Sequence, residues 1–165
     1  MIIFVVTKQI NMGLDISHNA WHGSYSAFNR WREKIAEAAG YPPLELMEGF
    51  YSEDGFNNPL SLLDNAYPKG DELAMSWVRR VRKRLPIKWD NFKQSALIDL
   101  LTHSDCEGHI NWKRCSGIAD ELEKLLPLLP DEDAGGHIGN WKETTSQFAA
   151  GCRLAFSKKE RLHFH

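Results

Sequence analysis

Hydrophobic and polar positions along the chain predict a few strands and a larger number of helices. The first six residues, MIIFVV, are apolar, β-branched or aromatic and are followed by the polar stretch TKQINMG, a pattern typical of a buried strand. The last five residues, RLHFH, alternate between polar and apolar side chains, and we expect a terminal strand that pairs with the first. The pattern therefore predicts a small sheet formed by the N-terminal and C-terminal strands.

Helical periodicity accounts for most of the other apolar side chains. In residues 24–39 apolar side chains recur at spacings of three and four, Arg32 occupies one of these inward positions, and Gly40 with Pro42 and Pro43 ends the pattern. Further helices are expected at residues 71–85, from residue 90 to residue 101, at 111–126 and at 141–156, with short helical turns and loops between 41 and 70. The sequence predicts an α+β, mainly helical single domain, residues 1–165, with a small sheet.

Composition restricts the class of protein. Hydrophobic residues make up 42% and charged residues 25% of the 165 residues, as in an ordinary soluble globule, and the net charge of −2 argues against a polyanion binder as a whole. The longest apolar run, MIIFVV, is too short to span a bilayer and lacks the features of a signal peptide. Three cysteines, an odd number, argue against a secreted disulfide framework. We expect a cytoplasmic protein with no membrane partner.

The stretch LLTHSDCEGHINWKRCSGIADEL, between two helical patterns, concentrates metal-ligating side chains. Its resemblance to an EF-hand calcium loop fails at the ends, where His103 and Arg114 replace the oxygen ligands. Two ligand sets for Zn, Mn or Fe remain open: His103, Cys106, His109 and Cys115, or His103 and Asp105 with Glu107 or His109. The alternative is a structural corner, in which Gly108 makes the turn and Ser104 and Asp105 bind backbone amides.

The strings LLTHSDCEGHI, CSGIADELEKLLPLL, TSQFAAGCRLAF and LHFH resemble a group of small bacteriophage proteins of unassigned activity, as does WHGSYSAFNRWREKIAEAAG. The resemblance covers most of the chain and implies a phage setting rather than a reaction. In that group an aspartate is expected where Glu107 stands and an acid where His109 stands. Both departures weaken a metal site made purely of carboxylates.

The stretch DISHNAWHGSYSAFNRWR brings polar and aromatic side chains to the start of the first predicted helix. Gly23 and Ser24 would lie at a helix N-terminus, which attracts phosphate groups, and Trp21 and Tyr25 are suited to stacking on a base. A serine cap with aromatic core packing explains the same residues without a ligand. The candidate ligand-binding residues of this stretch are His18, Trp21, His22, Gly23, Ser24, Tyr25 and Arg30.

The run RRVRKR holds five cations in six residues. It would suit nucleic acid or a multiply charged ligand, although a solvated face near a helix C-terminus is the favoured interpretation because that end of a helix attracts cations. The negative net charge makes any such patch local. Its members are Arg79, Arg80, Arg82, Lys83 and Arg84.

Three functions follow from these observations. The leading prediction is a phage-type binding protein that takes a small anionic, nucleotide-like ligand between the loops SHNAWHGSY and HSDCEGH, the second contributing His103, Asp105 and Glu107, and sequesters a host immune signal. The alternatives are a metal-dependent hydrolase or phosphodiesterase, and a protein-interaction module. The hydrolase would centre on His103, Asp105 and His109 with a Zn or Mn cofactor and His18 or His22 as acid–base partner. The interaction module would use Trp89, Trp112 and Trp141 as anchors.

No nucleophile motif, Walker loop or paired cysteine motif occurs in the chain, so no catalytic residue is assigned and enzyme activity is left open.

Overall fold

The computed structural model of the protein describes residues 13–50 and 72–165. Helices predominate in these two ranges, which confirms the prediction of a mainly helical α+β fold. The predicted strand MIIFVV lies outside the described residues. The helices are α1 (Tyr25–Ala38), α2 (Glu72–Arg82), α3 (Ala96–Leu101), α4 (Trp112–Leu125) and α5 (Trp141–Lys158), and the strands are β1 (Gly13–Ile16), β2 (Trp21–Ser24), β3 (Gly108–Ile110) and β4 (Leu162–Phe164).

The four strands form one antiparallel sheet in the order β2-β1-β4-β3. The predicted C-terminal strand is confirmed as β4, and in the described chain its neighbours are β1 and β3. Side chains alternate between the two faces, so Leu14, Ile16, Leu162 and Phe164 point towards the helices and are buried. The opposite face is polar. The sheet thus has one face on the core and one in solvent.

A tight hairpin joins β1 to β2 and packs against α5. His18 and Asn19 at its tip have positive φ values of 60° and 56°, a conformation that asparagine and histidine adopt more readily than most residues. Ala20 follows, and a Cβ added to Gly151 of α5 would lie 2.6 Å from the Ala20 Cβ. The close approach of the hairpin to α5 therefore requires glycine at position 151.

The core is built around aromatic rings between α1, α5 and the sheet. Trp31 and Phe148 stack with ring centroids 4.8 Å apart, and Phe28 contacts both rings. The buried Trp31 Nε1–H donates to the Thr145 hydroxyl at 3.0 Å, so this large ring is buried without an unsatisfied donor. Helices α4 and α5 pack side by side against this centre.

Several predicted boundaries agree with the structure and two do not. The helices predicted at 24–39, 111–126 and 141–156 are α1, α4 and α5, with ends within two residues. Helix α2 ends at Arg82 rather than residue 85, because Arg84 adopts a positive φ of 55°, and Leu85 is 44% exposed. Asp71, the first residue of the predicted helix, lies outside the described residues.

The second difference concerns the helix predicted from residue 90. It is replaced by a short 3-10 turn, Trp89–Asn91, and α3 begins only at Ala96, where the Ser95 hydroxyl accepts a hydrogen bond from the Leu97 amide. On α5, Phe148, Cys152 and Ala155 are buried, whereas Phe156 is 41% exposed. None of the helices in the described ranges is both long enough and apolar enough to cross a bilayer.

Candidate functional site

A buried arginine organises the region between α1 and the end of α3. The Arg32 residue of α1 is only 2% exposed. Its Nη1 donates to the carbonyl oxygens of His103 (2.6 Å) and Leu101 (3.3 Å), and its Nη2 donates to the Asn29 side-chain oxygen. These bonds attach the start of the 102–107 loop to α1. A buried guanidinium with several carbonyl acceptors is a costly arrangement that the rest of the fold must support.

One donor of the Arg32 guanidinium has no partner among the described residues. Its Nε is buried and makes no hydrogen bond in the described part of the chain. The charge lies over the rings of Phe28 (4.8 Å) and Phe50 (5.5 Å). Burial lowers the pKa of Arg32, while the negative charges of Asp105 and Glu33 act in the opposite direction. The result is a desolvated positive charge with unused hydrogen-bonding capacity.

Asn29 connects this arginine to the first acid of the loop. The Asn29 Nδ2 donates to the Asp105 Oδ2 at 2.7 Å, while the Asn29 Oδ1 accepts from Arg32. The three side chains form a chain of hydrogen bonds in which a cation and a carboxylate share one amide. Asp105 is half-buried, so its charge acts on Arg32 through a medium less polar than water.

These side chains lie on a cleft of about 550 Å³, which we call the Arg32 cleft. Four separate stretches of chain contribute to its walls. Phe50 and Trp89 supply aromatic surface, and the Trp89 indole is held by a 3.0 Å hydrogen bond to the Glu48 carbonyl oxygen. The cleft residues are Asn29, Arg32, Glu48, Gly49, Phe50, Trp89, Thr102, His103, Ser104 and Asp105.

His103 joins the cleft to the sheet. Its ring stacks on Phe164 of β4 with centroids 4.0 Å apart, and its Nδ1 lies 2.7 Å from the Ser104 carbonyl oxygen. Gly108, at a φ of +97°, passes beside the same ring. Two of the loop residues predicted for a ligand site, His103 and Asp105, therefore do share a cleft. Glu107 is exposed and does not line it.

The hairpin residues predicted for the same site lie elsewhere. Trp21 is 2% exposed in the core and cannot stack on a ligand there. His18 pairs with Glu160 (2.7 Å), and His22 with Asp15 (2.7 Å). In the sheet formed by the described residues, β2 and β3 lie at opposite ends of the strand order, so the two predicted loops do not face one another.

The remaining residues of that set have structural contacts. The Ser24 hydroxyl accepts from the Ala27 amide at 3.1 Å and so caps α1, as the alternative interpretation of this stretch expected. Arg30 donates to the Ala134 carbonyl oxygen at 3.2 Å, and Gly23 lies against His137. Tyr25, half-buried, packs on the core. None of these residues lines the Arg32 cleft.

Metal-ligating side chains are dispersed. No group of three or more histidine, cysteine, aspartate or glutamate side chains within 13–50 and 72–165 is arranged to hold a metal ion. His109 is on the outer face of the sheet, where its ring lies 5.8 Å from that of His163, whereas His103 is on the helical side. The structure thus does not bring His103, Asp105 and His109 together.

The two cysteines of the ligand set His103, Cys106, His109 and Cys115 are also apart. Cys106 is exposed beside the Ser104 hydroxyl (3.3 Å), while Cys115 is buried within α4 against Cys152 of α5. The hydrogen bond between the two buried thiols lowers the pKa of Cys115 and raises that of Cys152 well above its usual value. Cys115 therefore belongs to the core contact between α4 and α5.

The tryptophans considered as interaction anchors are largely inside. Trp89 and Trp141 are 8% and 9% exposed, and Trp112 is half-buried beside Phe156. Several cleft residues were not singled out as functional from the sequence, namely Asn29, Arg32, Glu48, Gly49, Phe50 and Thr102. An available signal was the position of Arg32 on the apolar stripe of α1, since a charged side chain on a buried face needs partners.

Comparison of the chain with protein-family models, with curated proteins and with solved structures found no match. The fold and the cleft are therefore the basis for a functional interpretation.

Proposed function

We propose that the protein binds a small nucleotide-like ligand and that the Arg32 cleft holds it. The observation that carries the proposal is the buried Arg32 guanidinium on the cleft wall, whose Nε–H has no acceptor in the described structure. An unsatisfied buried donor costs about 1–3 kcal/mol. A ligand acceptor that reaches this edge recovers that free energy, which gives the bound state an advantage over the empty one.

The cleft walls favour a ligand with a planar ring. Phe50 is half-exposed at the rim, and its ring already lies over the Arg32 guanidinium. Nε is covered, so a ligand reaches it only after a neighbouring side chain moves. Phe50 is our candidate, since its ring lies at the guanidinium and, once swung aside, can stack on a ligand base. Thr102 and Ser104 supply hydroxyls, and Asp105 supplies an acceptor for a ligand amino or hydroxyl group.

The charges in the cleft limit the charge of the ligand. The Arg32 cation can bind one anionic group of the ligand. The carboxylates of Asp105 and Glu48 repel any further negative charge on the ligand. The favoured ligands are therefore nucleosides, nucleoside monophosphates and cyclic mononucleotides rather than triphosphates. In a phage, a protein of this kind would sequester a nucleotide signal, which requires affinity and no turnover.

A thermal-shift screen tests the proposal. The probes are adenosine, guanosine, AMP, GMP, cyclic AMP, cyclic GMP, ADP-ribose and ATP, each at 1 mM. A ligand present at 100 times its Kd stabilises the folded state by about 2.7 kcal/mol. For a domain of this size, that corresponds to an increase in Tm of roughly 5–10 °C. We expect a shift with at least one mononucleotide or nucleoside and a smaller shift with ATP.

A matched pair of variants assigns the shift to the cleft. Asp105→Asn removes a cleft charge, whereas Asp99→Asn removes the charge of an acid on α3 that pairs with Arg114 outside the cleft. We expect the first variant to lose most of the ligand-induced shift and the second to retain it. The proposal fails if no probe changes the Tm, or if both variants respond to the ligand as the unmodified protein does.

A further inference from the structure

One stretch of the chain has a charge opposite to that of the rest. Residues 79–93 contain seven lysines and arginines and a single acid, Asp90, whereas the whole chain has a net charge of −2. The other residues therefore carry a net charge of −8. Such a separation produces a local positive potential even though the molecule as a whole is slightly acidic.

The structure shows the position and solvent exposure of five of these cations. Helix α2 buries Trp77 and Val81, each 2% exposed, so its opposite side faces solvent. We call the cations of that helix end and the residues that follow it the basic surface. Four of them are exposed and the fifth, Arg80, is half-buried with its Nε bonded to the Pro86 carbonyl oxygen. The basic surface consists of Arg79, Arg80, Arg82, Lys83 and Arg84.

Four lysines and arginines elsewhere in the described residues form ion pairs with carboxylates, which those of the basic surface do not. Arg114 pairs with Asp99, Arg153 with Asp120 and Glu123, and the lysines at 34 and 124 pair with nearby glutamates. No ion pair links any residue of the basic surface to a carboxylate within residues 13–50 and 72–165. Like charges at this density repel one another in the absence of a partner. The basic surface is therefore able to accept an external polyanion.

We infer that the basic surface binds the phosphate backbone of a nucleic-acid duplex without sequence selectivity. Arg79, Arg80 and Lys83 line one open groove of about 550 Å³, so three positive groups converge on the same space. A duplex carries one negative charge per about 1.7 Å of its axis, and neutralising several phosphates releases counterions. The negative phosphates of a duplex are therefore complementary to the positive side chains that line the groove.

The apolar residues beside the basic surface favour a duplex over a single strand. Surfaces for single strands combine cations with exposed aromatic rings on which bases stack. Among the described residues of this region, the exposed large apolar side chains are Met75 and Leu85, whereas Trp77 and Trp89 are buried. Contacts to phosphates hold a duplex in place. Without base stacking or hydrogen bonds to base edges, they do not select its sequence.

Fluorescence anisotropy with a labelled 20-base-pair DNA duplex of arbitrary sequence tests the inference. We expect binding at 50 mM NaCl whose affinity falls with salt, with a slope of log K against log salt concentration of about −3 to −4. The triple variant Arg79→Glu/Arg82→Glu/Lys83→Glu should bind at least about 30-fold more weakly, with a slope close to zero, since each lost phosphate contact lowers the slope by about 1.

The control reverses three exposed lysines on α4 and α5, Lys113, Lys124 and Lys158, to glutamate and so makes the same change in net charge. This variant should keep at least a third of the duplex affinity. Circular dichroism and Tm verify that both variants are folded. Absence of salt-dependent duplex binding, an equal loss in the two triple variants, or tighter binding to the matching single strand would overturn the inference. Binding to phosphatidylserine vesicles without duplex binding would overturn it as well.

Discussion

The Arg32 cleft and the basic surface both use arginine, but in opposite ways. In the cleft, one guanidinium is buried, bonded to two backbone carbonyls and linked through Asn29 to Asp105. On the basic surface, four of five cations are exposed and none pairs with a described carboxylate. The cleft is assembled from four separate stretches of chain, and the basic surface comes from six consecutive residues.

The difference shows how the same side chain acquires different energetics from its surroundings. A buried charge is held by short bonds in a medium that screens weakly, so its contribution depends on geometry. Exposed charges contribute little to folding and act at a distance that salt controls. The cleft should therefore be sensitive to mutation and insensitive to salt, and the basic surface should show the reverse.

Salt separates the two regions most strongly. Raising NaCl from 50 to 500 mM should weaken duplex binding by about a thousandfold or more, because several counterions are released on binding. The affinity of the cleft for a mononucleotide from the thermal-shift screen should change by less than about threefold, because its charged contacts come from the buried Arg32 and the half-buried Asp105. Anisotropy and calorimetric titrations at four salt concentrations measure both slopes. Equal slopes would remove the distinction.

Replacing one arginine in each region compares their contributions to folding. Arg32→Met should lower the free energy of unfolding by about 3 kcal/mol, because the carbonyls of Leu101 and His103 lose their donor and Asp105 loses its nearby cation. Arg82→Met should change it by less than about 0.5 kcal/mol, as exposed substitutions do. Urea denaturation gives both values. Similar values for the two variants would show that the cleft bonds contribute nothing specific.

Within the cleft, a substitution at Asp105 should weaken ligand binding while leaving the stability of the fold nearly unchanged. Asp105→Asn keeps the size and an acceptor for Asn29, so the free energy of unfolding should change by less than about 1 kcal/mol. Ligand affinity should fall at least roughly tenfold, because a charge-assisted hydrogen bond becomes a neutral one. Calorimetry with the ligand identified in the screen measures the change. Unchanged affinity, together with a large loss of stability in Asp105→Ala, would make this loop a structural corner.

The smallest effect is expected at Glu33, which lies next to Arg32 in the chain. Burial, followed by the charge of Glu45, raises the pKa of Glu33, against the opposing effect of Arg30 and Arg32. A raised carboxyl pKa means that wild-type stability falls as pH rises through that pKa.

Glu33→Gln does not ionise, so it should be more stable than wild type at pH 7 and equal to it at pH 3.5. Glu33 is only partly desolvated and its side chain still contacts water, so the gain should stay below about 0.5 kcal/mol. Urea midpoints at the two pH values measure it, and a gain that persists at pH 3.5 would contradict the electrostatic explanation.

Periodicity in the sequence was sufficient for the long elements. Helices α1, α4 and α5 each span at least 14 residues, so their apolar stripes repeat often enough to be recognised. The alternation in RLHFH likewise predicted β4. Strands β1 and β2, with four residues each, and β3, with three, were not predicted, because each contains a glycine and adjoins polar loop residues, a composition typical of turns. These strands form through pairing with one another and with β4, and through packing on the core.

The candidate site divides in the same way. His103 and Asp105 were identified from residue type and spacing, and the five cations of the basic surface are visible in the sequence because they are consecutive. The role of Asn29 could not be recognised from the sequence, because its partner Asp105 is 76 positions away in the chain. Conversely, His22 and Trp21 were expected beside the loop and lie at the opposite edge of the sheet or in the core.

By itself, the sequence determined the helical stripes, the β4 alternation and the basic run, because each depends on residues close together in the chain. The tertiary structure alone decided that Arg32 is buried, that its carbonyl acceptors come from the end of α3 and that the two histidine-rich loops are apart. These outcomes depend on the strand order β2-β1-β4-β3 and on the packing of α1. The physical reason is that burial and partner choice are properties of the assembled chain, whereas local pattern constrains only the segment that carries it.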